Sequence, residues 1–508
     1  MIVKTTSSAI IGIDSYPVNV EIDVSRGLPQ FSTVGLPDAA VRESKDRIKS
    51  AIKNSGYRFP GNRVTINLAP ADIKKEGTGF DLPIAVGILS AQGIIEKEQL
   101  SEYMFAGELS LDGGVKGIHG ALPAGIQAAK MGLKGIVLPR ENAGEAAMVE
   151  KIDVIAVDHL YDVVEFLNGT KEFPAMETDI SDLFSRSLHY PFDFSEINGQ
   201  NQAKRAMEVA AGGGHNIIMI GPPGSGKTML AQRLLTILPD LSLEEAIETT
   251  KIHSVAGLLS RKESLLAVRP FRSPHHSISD AGLVGGGRIP RPGEISLANN
   301  GVLFLDELPE FKRNVLEVLR QPLESGHITV SRASASATYP ARFMLVAAMN
   351  PCPCGYFTDS RRQCTCTPRQ IRQYRARISG PLLDRIDIHI EVPSIRYKDL
   401  SEESGGEISE TIKKRVNRVR DIQKDRFQSG ILCNARMSNR QIKEYCVLDG
   451  DSKKLIEMAV DRLGLSARAY TKILKVARTI ADLEDEKDIR QSHISEAIQY
   501  RTLDREAI

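Results

Sequence analysis

The octet GPPGSGKT at residues 221–228 constrains this chain more than any other part of its sequence. It follows the apolar run 217–220 and leads into a helical pattern over 229–238. Glycines let backbone amides turn toward an anion, and the following helix presents its positive N-terminal end. In such a loop Lys227 reaches the terminal phosphates of a nucleotide, and Thr228 offers a hydroxyl to Mg²⁺. The predicted nucleotide-binding residues are Gly221, Pro222, Pro223, Gly224, Ser225, Gly226, Lys227 and Thr228.

Length and charge limit the remaining possibilities. The chain has 508 residues, which at about 150 residues per domain predicts about three domains. Its net charge of +1 excludes a uniformly basic surface, so any nucleic-acid site must be local. No secretory signal pattern and no run of about 18 apolar residues is found, which predicts a cytoplasmic protein without a membrane partner.

The predicted fold class is multidomain α/β. Residues 1–168 mix strand and helix patterns and indicate an α+β domain, and residues 169–191 are polar and read as a linker. Residues 192–393 alternate short apolar strands with helices, which is typical of a parallel sheet. Residues 394–508 show only helical patterns and predict a helical lid domain.

Four polar residues follow predicted strands or turns downstream of the octet. The strand 301–305 ends in Asp306 and Glu307, where one carboxylate can hold Mg²⁺ and its neighbour can orient an attacking water. The strand before Asn350 places an amide that can hydrogen-bond this water or the γ-phosphate. Arg385, in the phrase PLLDRID, can stabilise transferred phosphoryl charge on a neighbouring subunit.

Four of the six cysteines lie close together directly after Asn350, in a C-x-C-x9-C-x-C arrangement formed by Cys352, Cys354, Cys364 and Cys366. Four thiolates can close a tetrahedral zinc site that stabilises a short irregular loop. Reduced cysteines packed as small apolar side chains are the alternative. The polar neighbours Asp359, Arg361 and Arg362 favour structural zinc.

The order of these motifs resembles that of the AAA+ ATPases. GPPGSGKT is similar to Walker A, GVLFLDE to Walker B, Asn350 to sensor 1, Arg385 to the arginine finger and Arg468 to sensor 2. The phrases at 269–307 and 350–355 resemble, more narrowly, the Mg-chelatase-like family known as ComM or YifB.

This resemblance implies ATP and Mg²⁺ as cofactors, catalytic roles for Asn350, Arg385 and Arg468, and a homo-hexameric ring. It also implies translocation or remodelling of single-stranded or branched DNA, as a helicase or in branch migration, during recombination and natural transformation. The alternative is chaperone-like remodelling of proteins, as in the Mg-chelatase type.

The first domain resembles the proteolytic domain of Lon-type proteases, which has a ribosomal S5 domain 2-like fold, in the phrases at 74–80 and 107–139. The match places Gly79 at the serine nucleophile and Leu122 at the lysine base, and neither can do that chemistry. A rearranged dyad would have to use Lys74, Lys75, Thr78 or Ser110. We therefore expect a non-proteolytic structural or docking domain that keeps a protease-like fold, with an unknown protein partner.

Two segments are candidates for DNA contact. Residues 324–343 predict a β-hairpin, which in similar AAA+ proteins points into the central channel, so Arg332, Lys312 and Arg313 could grip phosphates. The second candidate is the glycine-containing loop 269–293, with the basic residues Arg269, Arg272, His275, His276 and Arg288. Solvated charges are the alternative for both segments, and also for the basic helix face that carries Lys413, Lys414, Arg415, Arg418 and Arg420.

Overall fold

The structure is a computed structural model, and it describes residues 2–72, 74–179, 184, 190–259, 264–287, 290–332, 335–359, 361–394, 406–428, 433–501 and 503. Within these ranges the side chains of Arg332 and Ala335 are not described, and Arg288 lies outside the described residues. The chain forms two compact units: Met1–Ser187 with Leu243–Ala267, and Leu188–Ser242 with Val268–Ile508.

The strands are numbered here in chain order. They are β1 (Ile2–Ile11), β2 (Asp14–Ser25), β3 (Gln30–Val34), β4 (Arg63–Ala69), β5 (Tyr103–Phe105), β6 (Glu108–Leu109), β7 (Val115–Lys116), β8 (Gly135–Pro139), β9 (Asp153–Val157), β10 (Ile217–Ile220), β11 (Phe271–Arg272), β12 (Gly285–Gly286), β13 (Arg291–Pro292), β14 (Val302–Leu305), β15 (His327–Arg332), β16 (Ala335–Pro340), β17 (Met344–Met349) and β18 (Ile388–Glu391).

The α-helices are numbered in the same way. They are α1 (Ala39–Asn54), α2 (Asp81–Ala91), α3 (Ala121–Lys130), α4 (Arg140–Ala146), α5 (Leu160–Leu167), α6 (Asn201–Gly213), α7 (Lys227–Ile237), α8 (Leu243–Ala256), α9 (Asp280–Val284), α10 (Glu294–Leu297), α11 (Arg313–Glu317), α12 (Arg320–Ser325), α13 (Pro368–Arg375), α14 (Gly380–Leu383), α15 (Ser409–Phe427), α16 (Asn439–Tyr445), α17 (Gly450–Leu463), α18 (Ala467–Leu483) and α19 (Gln491–Gln499).

The first unit is built on a mixed seven-stranded sheet in the order β3-β4-β2-β1-β5-β8-β9. Strands β1, β2 and β4 pair antiparallel, whereas β5, β8 and β9 pair parallel. Helix α2 packs on β1 and β2 with almost every residue buried. A Cβ at Gly87 of this helix would lie 2.1 Å from Ile22 Cδ1, so only glycine permits this close approach. This unit confirms the predicted α+β class.

The second unit contains a five-stranded sheet in the order β11-β14-β17-β10-β18. All its neighbouring strands pair parallel, as the alternation of apolar strands and helices predicts. Strands β15 and β16 form a separate antiparallel hairpin, in register from His327↔Pro340 to Arg332↔Ala335. The predicted hairpin is therefore present, and in the chain it lies between β14 and β17.

The C-terminal helices share one apolar core with the parallel sheet. Helices α15 and α18 pack on α6, and Ile473 and Ala477 lie in the same buried cluster as Met219 of β10. Ser466 caps α18 by accepting a hydrogen bond from the Ala469 amide.

Residues 243–267 belong to the first unit, although the predicted ATPase core of 192–393 included them. Helix α8 packs against α3, and Ser254 Oγ donates a 2.6 Å hydrogen bond to the buried carboxylate of Glu145. Contacts between residues far apart in sequence decide this placement.

Among the described helices, none combines the length and apolar composition that crossing a bilayer requires.

Candidate nucleotide-binding and hydrolysis site

Parallel pairing brings the predicted site residues to one edge of the five-stranded sheet. The octet follows Ile220 at the end of β10, and Ile220 pairs with Met349, the last residue before Asn350. Asp306 follows β14, whose Leu305 pairs with Ala347 of β17. Because the carboxyl ends of parallel strands share an edge, motifs more than a hundred residues apart meet there.

Lys227 lies at the centre of this edge and is buried. Its ammonium donates to the carbonyl oxygens of Gly221 and Pro222 at 2.8 and 2.9 Å. The Asn350 amide oxygen is 3.4 Å from the same nitrogen. Burial lowers the pKa of Lys227, while the carboxylates of Asp306 and Glu307 act in the opposite direction. A buried ammonium satisfied mainly by neutral carbonyls is suited to receive an anion.

The octet has the backbone geometry of an anion-binding loop. Gly224 and Gly226 have φ values of 76° and 87°, a region that glycine adopts without strain. A Cβ at Gly221 would lie 2.1 Å from the Val392 carbonyl oxygen, so the start of the loop excludes any larger residue. Helix α7 then begins at Lys227 and directs its N-terminal end toward the loop.

Thr228 and Asp306 together offer the hard oxygen ligands that Mg²⁺ prefers. The Thr228 hydroxyl donates to Asp306 Oδ2 at 2.8 Å, and the other oxygen of this carboxylate accepts from the Glu307 amide at 2.9 Å. These residues fit the ion, because carboxylate and hydroxyl oxygens on an exposed edge leave room for phosphate and water ligands. Glu307 has a left-handed backbone (φ 51°) and an exposed side chain.

His276 contacts the predicted catalytic carboxylate, a role that the sequence analysis missed. Its Nδ1 lies 3.5 Å from Glu307 Oε2, and its ring packs against those of His275 and Phe311. Strand pairing explains this contact. His276 follows β11, which pairs parallel with β14, so both residues emerge at the same edge of the sheet.

Arg385 and Arg468 lie together, away from Lys227. Arg385 precedes β18, whose first residue pairs with Ile217 at the start of β10, so it lies at the opposite edge of the sheet from the octet. Its guanidinium is buried and donates to Glu324, and Arg468 lies 4.0 Å from the same carboxylate. Arg377, eight residues before Arg385 in the chain, pairs with Glu310 at 2.9 Å.

Two basic residues of the loop 269–293 form hydrogen bonds with other residues of the same chain. Arg269 donates to three backbone carbonyls, those of Pro239, Asn300 and Asp240. Arg272 forms a bidentate pair with Glu294 at 2.6 and 2.7 Å. These contacts hold the loop in place and disfavour the interpretation of the two arginines as contacts for an anionic ligand.

The basic face of α15 is mostly ion-paired as well. Lys413 pairs with Asp240, Lys414 with Glu410 one turn away, and Arg415 with both Glu208 and Glu407. Arg418 pairs with Asp485. These contacts favour the interpretation of this face as a solvated, ion-paired surface.

The four clustered cysteines fit a tetrahedral metal. All four Sγ atoms lie within 4.8 Å of one another, and three of their separations are 3.4, 3.6 and 3.7 Å. Zn–S bonds of about 2.3 Å place tetrahedral sulfurs about 3.8 Å apart. Backbone amides of Cys354 and Phe357 donate to two of the sulfurs, which is typical of metal-bound thiolates.

The cysteine loop also contacts the octet. A Cβ at Gly355 would lie 2.6 Å from Pro223 Cδ, so the two backbones are in close contact. The loop begins one residue after Asn350, whose amide oxygen approaches Lys227. The cysteine cluster therefore supports both the nucleotide loop and the predicted sensor.

The candidate dyad residues of the first unit have other partners. Lys75 is buried, which lowers its pKa, and its ammonium bonds the Pro70 carbonyl. Thr78 donates to Glu108, and Ser110 donates to Asp112 at 2.5 Å. The described contacts do not join any of these hydroxyls to a lysine.

Family models match most of the chain. The magnesium chelatase subunit ChlI model matches residues 193–400, a second model for subunit ChlI of Mg-chelatase matches 20–142, and the C-terminal model of the same subunit matches 406–501. The three models cover part of the first unit, the parallel sheet with its nucleotide loop, and the C-terminal helices.

Proteins similar over the whole length include Competence protein ComM of Haemophilus influenzae, which is 46% identical over 98% of this chain and 97% of its own length. Protein YifB of Salmonella typhimurium is 46% identical over 98% of this chain and 96% of its own. The magnesium-chelatase 38 kDa subunit of Cereibacter sphaeroides is 29% identical, over 32% of this chain and 53% of its own length.

Proposed function

This chain belongs to the magnesium chelatase subunit ChlI family of AAA+ ATPases, among its ComM and YifB members, and from this we propose that it is an ATP-driven motor acting on DNA. The family implies use of ATP and Mg²⁺. We further propose that the protein assembles as a ring, that DNA is its substrate, and that the site residues have the roles described below. The helicase or branch-migration activity would serve recombination and natural transformation, in keeping with the competence named for the Haemophilus relative.

We assign the hydrolysis residues by the atoms that they present. The loop 221–226 and Lys227 bind the phosphates, and Thr228 with Asp306 holds Mg²⁺, which would neutralise phosphate charge. Glu307 orients and deprotonates the attacking water, and Asn350 fixes the γ-phosphate side of the site. His276 holds Glu307 until substrate is positioned.

The opposite placement of Arg385 supports a ring. The strands between the two sheet edges are four residues long, or roughly 13 Å at about 3.3 Å per residue. Arg385 therefore serves the nucleotide of an adjacent subunit, and Arg468 lies beside it. A homo-hexamer is the assembly that we propose, because each subunit then completes the site of the next.

The observation that carries the DNA assignment is the exposed face of the hairpin β15–β16. Its outward residues are hydroxyl-bearing: Thr329 bonds Thr338 at 3.0 Å, and Ser331 bonds Ser336 at 2.9 Å. The apolar hairpin residues, including Ile328 and Val330, face inward. Serine and threonine hydroxyls are common partners of phosphate oxygens.

This face is poorly suited to grip an unfolded polypeptide, because apolar side chains supply most of that attachment. Protein remodelling of the magnesium-chelatase type remains the alternative, and the experiment below distinguishes it. Lys312 and Arg313, both exposed, add positive charge before α12 and the hairpin.

We expect DNA to stimulate ATP hydrolysis, and the hairpin face to be required for it. Thr338→Glu places a negative charge on the hydroxyl face, so it should abolish stimulation while basal hydrolysis persists. Arg332→Ala should weaken the salt dependence of DNA binding: the plot of log DNA affinity against log salt concentration should become less steep by about 1. Phosphate release and fluorescence anisotropy with forked DNA measure the two effects.

Thr411→Glu is the matched control, because Thr411 lies exposed in the first turn of α15. It should bind DNA as the parent does. If DNA does not bind in low salt and unfolded casein stimulates hydrolysis instead, the DNA assignment is wrong and protein remodelling replaces it.

We also propose that Cys352, Cys354, Cys364 and Cys366 hold a structural zinc ion. The purified protein should contain one zinc per chain, measured by elemental mass spectrometry. Cys364→Ser should lose the metal, lower the melting temperature and weaken nucleotide binding, because the loop supports Pro223 and Asn350.

Cys446→Ser, outside the cluster, should keep its zinc. Metal-free parent protein, or a Cys364→Ser variant with unchanged metal content, would contradict the zinc site.

A further inference from the structure

Two arginines of the ATPase unit converge on one carboxylate. Arg385 donates through Nη2 to Glu324 Oε1, and Arg468 Nη2 lies 4.0 Å from the same oxygen. The side chain of Arg385 is only 9% exposed, whereas that of Glu324 is 55% exposed. Glu324 therefore covers the guanidinium on its solvent side.

Two of the three guanidinium nitrogens of Arg385 are already hydrogen-bonded, and the third, Nε, is buried without a described partner. Nη1 donates to the Pro381 carbonyl at 2.5 Å, and Nη2 is bonded to Glu324. Arginine binds phosphate with the same parallel N–H groups that it uses for a carboxylate. A phosphate that approaches through this pair of N–H groups therefore competes with Glu324 for Nη2.

Glu324 is firmly connected to the hairpin. It is the penultimate residue of α12, which ends at Ser325, and Gly326 turns the chain with φ 71° into β15 at His327. Ser325 Oγ bonds the carbonyl oxygens of both Gln321 and His327, which ties the helix to the strand. A displacement of Glu324 would therefore reach the base of the hairpin within three residues.

We propose that Glu324 occupies the phosphate position of the arginine pair, and that the nucleotide phosphate of a neighbouring subunit displaces it. This rests on the proposed function, in which Arg385 acts on the neighbour's ATP. While Glu324 is bound, the arginines are neutralised and hydrolysis is slow. Its displacement frees α12 and the hairpin base, so the state of one site reaches the DNA-binding element of the adjacent subunit.

Removing the competing charge tests this proposal in the full-length protein. In Glu324→Gln the arginines have no bound carboxylate, so ATP hydrolysis without DNA should rise about three- to tenfold, the range of a weak charge-assisted bond. DNA should add little further stimulation. A merely structural ion pair would give the opposite result, with slower hydrolysis and a lower melting temperature.

Three further variants distinguish a failure of the proposed Glu324 displacement from a failure of the role proposed for Arg385. Glu317→Gln removes a carboxylate that pairs with Arg320 on the neighbouring helix, and it should leave the basal rate unchanged. Arg385→Ala should abolish hydrolysis, and the double variant Glu324→Gln/Arg385→Ala should remain inactive.

If Arg385→Ala hydrolyses ATP normally, the role proposed for this arginine is wrong. If Arg385→Ala is inactive but Glu324→Gln is no faster than the parent, the ring mechanism stands and the displacement of Glu324 is overturned.

Discussion

Lys227→Ala should lose nucleotide binding almost completely. The ammonium donates to the carbonyl oxygens of Gly221 and Pro222, and we propose that it binds the terminal phosphates of the nucleotide. Removing one partner of a buried charge interaction costs about 3 kcal/mol, which corresponds to about 100-fold in Kd. Titration with a fluorescent ATP analogue in the presence of Mg²⁺ measures this directly.

Glu307→Gln is the matched control, because it changes a charged residue of the same site with a different role. Its carboxylate contacts His276 and does not contact the phosphate loop in the described structure. The variant should bind ATP as the parent does and hydrolyse it about 100-fold or more slowly, since a general base is lost. If Lys227→Ala keeps its affinity while Glu307→Gln loses it, the two roles are wrongly assigned.

Local patterns predicted most of the fold. The predicted strand 301–305 is β14 to within one residue, and the hairpin predicted within 324–343 is formed by β15 and β16. Such elements are fixed by apolar spacing and capping within a dozen residues. The phosphate loop was predictable for the same reason, because its glycines, lysine and helix are consecutive.

Contacts between distant segments were not predictable from these patterns. Helix α8 follows the Walker A helix closely in sequence and yet packs in the first unit, where Ser254 meets Glu145. Arg272 in a glycine-containing loop resembles an anion contact until its bidentate partner Glu294 is known. No sequence pattern singles out Glu324, because its proposed role depends entirely on its contacts with Arg385 and Arg468, which are distant in sequence.

A second buried charge network joins α18 to the strand that follows Arg385. Asp387 is almost fully buried and accepts from Lys472 at 2.5 Å and from the Asn216 amide at 2.9 Å. His215 approaches the same carboxylate at 3.7 Å. The pKa of Asp387 lies well below its ordinary value, because Lys472 and His215 outweigh the opposing effect of burial. Lys472 is one turn beyond Arg468, so this pair also fixes the helix that carries the second arginine.

Asp387→Asn should destabilise the ATPase unit by about 3 kcal/mol at neutral pH, because it leaves Lys472 without its counter-charge. Since the pKa of Asp387 is lower in the folded than in the unfolded protein, its contribution is complete above about pH 4, the ordinary aspartate value, and is lost as pH falls further. The deficit of the variant should therefore be constant between pH 5 and 7, and should shrink in acid. Denaturant unfolding at several pH values measures it.

Asp485→Asn is the matched control, because Asp485 pairs with Arg418 and both side chains are largely exposed. It should change the free energy of unfolding by less than about 1 kcal/mol. Equal losses in the two variants would mean that Asp387 behaves as a surface charge. A large loss confined to Asp387→Asn, accompanied by slower hydrolysis and unchanged ATP affinity, would instead show that the network stabilises the arginine pair as well as the fold.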